Sequence, residues 1–192
     1  MARPSNTAGR RAQIVEGLMR VIARKGYGGA TVPAIARAAR LAPGLVHYHF
    51  ASKEDILLAL FERLRDTLDA RYARHLALRS DRPRDRLLAY LDAHLALDGD
   101  ADPAALAAWV AVAAEAVRRP ALGALYRRAL EHRRRILADL LRRARVRRAP
   151  ALAGLLLAAI EGAFHLGVAA PGTLPAGSAA PTLRSIVERM LP

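Results

Sequence analysis

The sequence predicts an all-α protein of about nine helices, with a three-helix head at the N-terminus and a larger helical domain behind it. Three observations carry that expectation. Apolar residues recur three and four positions apart in one stretch after another, the spacing of a single buried helical face. No stretch of useful length alternates like a strand, and no internal repeat occurs. Breaks rich in Gly, Pro and Asp fall between the apolar stretches, at 26–29, 79–83, 98–103, 119–120 and 170–181.

Residues 1–8 are polar and basic, either a disordered tail or an arm on which Arg3, with Arg10 and Arg11, meets a nucleic-acid backbone. The first helix spans about 10–25, with Ile14, Leu18, Val21 and Ile22 on one face and Gly26 after it. Tyr27 is expected to pack on the helices that follow. Thr31 then offers its hydroxyl as an N-cap, and Pro33 stands in the first turn, where a missing amide costs little. Ile35, Ala36 and Ala39 make a narrow apolar face, with Ala36 small enough for a close crossing. The turn is Arg40-Leu41-Ala42, with Leu41 as its expected plug. Pro43 opens the next helix, from which Val46 and Phe50 face inward. Ser52 and Asp55 have the spacing of a capping box at the start of a fourth helix. Two short helices across a three-residue turn form a helix-turn-helix, whose second helix enters the major groove of DNA.

The fourth helix continues to about Leu78 on a stripe of Ile56, Leu57, Leu60, Phe61, Leu64 and Leu68. It starts in the head and ends beyond it, which makes it the natural mechanical link. The domains are expected to span 1–54 and 55–192. A helix over 84–97 buries Leu87, Leu88, Leu91 and Leu95. A helix over 103–118 is apolar nearly all round, hence buried, and carries Trp109 and Glu115. Helices over 121–145 and 150–168 follow, the first ending in a cationic run from Arg142 to Arg148. Positive charge at a helix C-terminus is favourable and normally solvated. A last helix over 182–191 aligns Leu183, Ile186, Val187 and Met190.

Charge separates the two ends. The chain carries +14, and residues 1–53 hold nine Lys or Arg against Glu16 alone, so +8 lies there. Such asymmetry marks a nucleic-acid-binding end. The absence of Cys excludes disulfides, thiol nucleophiles and cysteine-held zinc, and fits a reducing cytoplasm. No signal core opens the chain. The run Ala149–Ile160 is too short to span a bilayer, so no membrane is expected.

Catalysis finds little footing. His47, His49, His75, His94, His132 and His165 form no HExxH, and neither a GxSxG elbow nor a phosphate-cradling glycine loop is present. No catalytic residue, metal or cofactor is therefore expected.

Thr31, Ile35, Ala36 and Ala39, then Pro43-Gly44-Leu45, His49-Phe50 and Ser52-Lys53-Glu54, resemble the tetracycline-repressor (TetR) family of bacterial regulators over roughly residues 10–60. The chain departs from the family where Arg40 replaces a turn Gly, Ala42 a capping Ser or Thr, and His47 a Tyr. The resemblance implies base contacts from Gly44, Leu45, Tyr48 and His49, and phosphate contacts from Thr31, His47 and Lys53. Packing within the head is the alternative for Tyr48 and His49. The run from Trp109 through Glu115 to Tyr126 resembles the BetI-type effector domain of the same family.

These resemblances imply a homodimer on a palindromic operator in double-stranded DNA, released by a small-molecule effector. The dimer face would hold Leu155, Ile160, Phe164, Ile186 and Met190; the alternative is that both helices bury inside one subunit. The effector pocket would use Tyr90, His94, Trp109, Glu115, Tyr126, Glu161 and Phe164, whose rings and acids suit an apolar or cationic ligand. The alternative is an architectural DNA binder without an effector.

Overall fold

The computed structural model describes residues 7–95 and 102–191. Arg3 and residues 98–101 of the expected acidic loop lie outside them. Among the described residues the chain forms nine helices and no strand. They are α1 (Thr7–Lys25), α2 (Val32–Ala39), α3 (Pro43–His49), α4 (Lys53–Ala77), α5 (Pro83–Leu95), α6 (Pro103–Ala116), α7 (Pro120–Arg143), α8 (Ala149–Ala169) and α9 (Ala179–Glu188). Packing divides the chain into two compact units, Met1–Leu64 with Asp102–Glu115, and Arg65–Ala101 with Ala116–Pro192. Residue 54, the expected domain edge, lies inside the first unit. The first turns of α4 bury Ile56, Leu57, Leu60, Phe61 and Leu64 there, and Trp109 of α6 sets its ring 5.7 Å from that of Phe61.

In the first unit α1 packs on α2 and α3, and α2 on α3. The α1–α2 crossing is close because Gly17 has no side chain. A Cβ there would lie 2.8 Å from the Ile35 carbonyl oxygen and 2.9 Å from the Ala39 Cβ. Two side chains of α1 bind carbonyls at the end of α2: Gln13 donates to Ala39 O at 2.7 Å and Arg20 to Ala38 O at 2.6 Å. These satisfy acceptors that a helix end leaves open. Arg40 closes α2 in the left-handed region, at φ 54° and ψ 45°. Its amide reaches Arg37 O at 3.1 Å, and the Leu41 amide reaches Ala36 O at 2.9 Å. Leu41 is only half-buried, so these backbone bonds, rather than an apolar plug, hold the turn.

In the second unit α5 is central, buried at every position from Leu87 to Leu95, and it packs on α7, α8 and α9. Asp92 on α5 is 6 % exposed and binds two cations, Arg79 just after α4 and Arg184 of α9, the latter at 3.2 Å. A buried carboxylate requires such partners.

Three further expectations change. α6 is apolar all round yet buries only Ala108, Trp109 and Val112. Its many Ala side chains make it apolar without demanding full enclosure. α8 runs 21 residues, well past the run ending at Ile160, and is long and apolar enough by composition to cross a membrane. Here it packs on α7 and α5, and its Glu161 is bound by Arg133 of α7. α9 starts at Ala179, three residues early, and Met190 stands beyond its last residue, Glu188.

Candidate DNA-reading surface and effector core

The orientation of α3 follows from its two anchors. Val46 and Phe50 are buried, so Gly44, Leu45, His47 and Tyr48 turn outward, with Tyr48 80 % exposed. Tyr48 and Leu45, one turn apart, therefore share the outward face of the helix. His49 is half-buried, its ring 5.0 Å from that of Tyr48 and edge-on to it. The exit of α3 is fastened by Arg11, which donates to the His49 carbonyl and lies 3.9 Å over the Phe50 ring. Arg10 donates to Gln13 at 3.0 Å. Both arginines, expected to meet a nucleic-acid backbone, are engaged within the head.

Thr31 is exposed at the start of α2, its hydroxyl accepting the Ala34 amide at 3.3 Å. Ala42, before α3, gives no side-chain cap. At α4 the capping box closes both ways: the Ser52 amide donates to Asp55 at 2.9 Å, and the Asp55 amide to the Ser52 hydroxyl at 3.0 Å. Lys53 follows, its ammonium 3.3 Å from the Tyr27 carbonyl and 4.1 Å over the Tyr27 ring. A groove of about 890 Å³ along α1 and α2 is lined by Arg20, Arg24, Lys25, Arg37 and Arg40 against Glu16. The positive field of this unit therefore extends well beyond α3, and such a field draws a polyanion in.

In the second unit the structure gathers Tyr90, His94, Tyr126 and Glu161. Tyr90 stacks on His94 at 4.1 Å and meets Tyr72 edge-on at 5.2 Å. His94 Nδ1 lies 2.8 Å from the Tyr90 carbonyl, which can only accept, so Nδ1 carries the proton. Burial, and then the positive charge of Arg133, lower the His94 pKa to about 3, so the ring is neutral. Burial likewise pushes the Tyr90 hydroxyl up. Glu161 accepts from the Tyr126 hydroxyl at 3.0 Å and forms an ion pair with Arg133. Phe164, one turn along α8, is buried.

Trp109 and Glu115 belong to the first unit, where Trp109 packs on Phe61. On the candidate dimer face Leu155, Ile186 and Met190 are 69 %, 49 % and 43 % exposed, while Ile160 and Phe164 are buried in their own chain.

Arg133, Tyr72 and Asp92 escaped the sequence reading. Arg133 had a signal, since it stands seven residues after Tyr126 and so shares its face of α7. It stands in the cationic run His132-Arg133-Arg134-Arg135.

Residues 14–60 match the model of bacterial regulatory proteins of the tetR family. Residues 83–192, more than half the chain, match the C-terminal domain of BetI-type transcriptional repressors. The HTH-type transcriptional regulator BetI of Burkholderia thailandensis is 32 % identical over 113 residues, 59 % of this chain and 57 % of that protein. Its counterpart in Burkholderia mallei is 29 % identical over 95 % of this chain and 93 % of its own length. A regulator from Saccharomonospora viridis, solved in complex with choline, superposes with a TM-score of 0.84 at 26 % identity, covering 96 % of this chain and 98 % of that one. A Rhodococcus regulator superposes with a TM-score of 0.81 at 25 % identity, covering 94 % and 95 %. The chain is a helix-turn-helix transcriptional regulator and belongs to the tetR family, in the branch with a BetI-type repressor C-terminal domain.

Proposed function

We propose that the protein is a homodimeric repressor of the cytoplasm that binds a palindromic operator and leaves it when a small molecule enters the second unit. The observation that carries the DNA half is the outward set Gly44, Leu45, His47 and Tyr48, held by the inward pair Val46 and Phe50. Leu45 suits a thymine methyl, and Tyr48 and His49 offer polar edges to bases. Thr31, His47 and Lys53 take phosphates, and the positive end of the α4 dipole lies beside Lys53.

The dimer reading rests on Leu155 of α8, Ile186 of α9 and Met190 just beyond it, apolar side chains left exposed by a single chain. Two copies of these helices pack as a four-helix bundle and present two recognition helices to two half-sites.

The effector reading rests on Tyr90, His94, Tyr126 and Glu161, with Phe164 one turn along α8. The choline complex of the Saccharomonospora viridis regulator supports a small organic ligand in a domain of this type. α4 is one uninterrupted helix from Lys53 to Ala77, so a shift of its far end moves Lys53 and the end of α3. A ligand changes DNA occupancy only by its differential affinity for the two states. A thermal-shift screen of small organic metabolites, followed by a DNA-release assay with each hit, tests the coupling. The reading expects a hit that stabilises the protein and weakens operator binding. Hits that stabilise it and leave operator affinity unchanged would contradict release.

A further inference from the structure

The polar core of the second unit already contains a cation. Arg133 is 5 % exposed, and its guanidinium pairs with Glu161, whose other carboxylate oxygen accepts from Tyr126 at 3.0 Å. Aromatic rings beside a carboxylate are the set that recognises a quaternary ammonium ion, and Tyr126 is bonded to Glu161 here. Here that carboxylate is engaged from inside the protein. Asp92, a buried carboxylate of this unit, is held by Arg79 and Arg184.

We infer that Arg133 is a specificity-determining residue: it occupies the position of a cationic effector at Glu161 and reserves the site for effectors that bring no permanent positive charge. This rests on the second unit being an effector site. The physical argument is one of exchange. A quaternary ammonium ion donates no hydrogen bond, so to reach Glu161 it must displace a guanidinium that does. The displaced guanidinium would be left buried without its counter-charge, the costly way to break such a pair. A neutral or anionic molecule leaves the pair intact. The field around His94 points the same way, because burial and then Arg133 and Arg71 keep that imidazole unprotonated, and the same surroundings oppose any added cation.

Choline is the probe, and direct calorimetry on the full chain is the readout, kept apart from DNA release so that failure of the effector coupling and failure of this inference are separable. The wild-type protein is expected to show no saturable choline binding at millimolar concentration. Arg133→Met keeps an unbranched apolar stem, removes the charge, and is expected to bind choline at least about a hundredfold more tightly. Arg133→Met combined with Glu161→Gln is expected to lose that gain. If circular dichroism shows that Arg133→Met does not fold, Arg133→Gln, which retains an amide donor for Glu161, replaces it with the same expectation. Choline binding by the wild type, or a folded Arg133 variant that gains none, overturns the inference.

Discussion

The ammonium of Lys53 donates to the carbonyl of Tyr27 at 3.3 Å and lies 4.1 Å over the same residue's ring. The first residue of α4 is thereby tied to the loop after α1, and the charge is aimed by the fold before any DNA arrives. An ammonium has three donors, so one bond to a carbonyl leaves capacity for a phosphate oxygen. Lys53→Ala is expected to weaken binding to all DNA sequences and to reduce the slope of log affinity against log salt by roughly one unit. Filter binding across a salt series reads both, and an unchanged slope rules out the phosphate role.

Arg40 and Ala42 are local misfits on either side of Leu41. A non-glycine residue at φ 54° carries strain that glycine does not, and α3 starts without a side-chain cap. Arg40→Gly is expected to stabilise the head by up to about 1 kcal/mol, and Ala42→Ser by a similar amount. Chemical denaturation measures both. Loss of stability in either variant would show that the turn is not strained as described.

Much of the head was legible in the sequence because its signals are local. Thr31 and the Ser52–Asp55 box are caps whose partners lie three residues away, and the structure shows both caps as expected. What stayed hidden is long-range. Gly17 against Ile35 and Ala39, Arg11 against His49, and Asp92 between Arg79 and Arg184 join residues whose sequence spacing carries no periodic signal. In the second unit periodicity located the helices and not the ion pairs. Arg133 stands in a run of charges, such a run gives no sign of which member is buried, and the structure buries this one.

His94 makes stability depend on pH. Its pKa is lowered to about 3 from 6.5, by burial first and then by Arg133. Between those values the unfolded chain holds more protons than the folded one. Stability from this group is therefore complete above about pH 6.5 and is lost as pH falls towards 3, at up to about 1.4 kcal/mol per pH unit. Urea midpoints at pH 7 and pH 5 are expected to drop in the wild type and to drop less in His94→Gln. Equal drops would contradict a buried neutral imidazole.

Leu155 is 69 % exposed and Ile186 49 % exposed in one chain. A charge placed in a buried apolar interface costs about 2 kcal/mol or more. Leu155→Glu with Ile186→Glu is expected to give a monomer by sedimentation at micromolar protein while the helical content is kept. A variant that sediments as the wild type would remove these two side chains from the interface.

The most direct test is selection of random duplex DNA by the purified full-length protein, with sequencing of the bound pool and titration of the enriched site. The outward face of α3, doubled by a two-fold axis, predicts an enriched sequence with two inverted half-sites about one helical turn apart, bound by two chains. Tyr48→Ala and Leu45→Ala should relax the preference at particular bases within each half-site, each by about 1–3 kcal/mol of discrimination. A bound pool indistinguishable from the input, or a preference left untouched by both substitutions, would contradict α3 as the element that reads DNA.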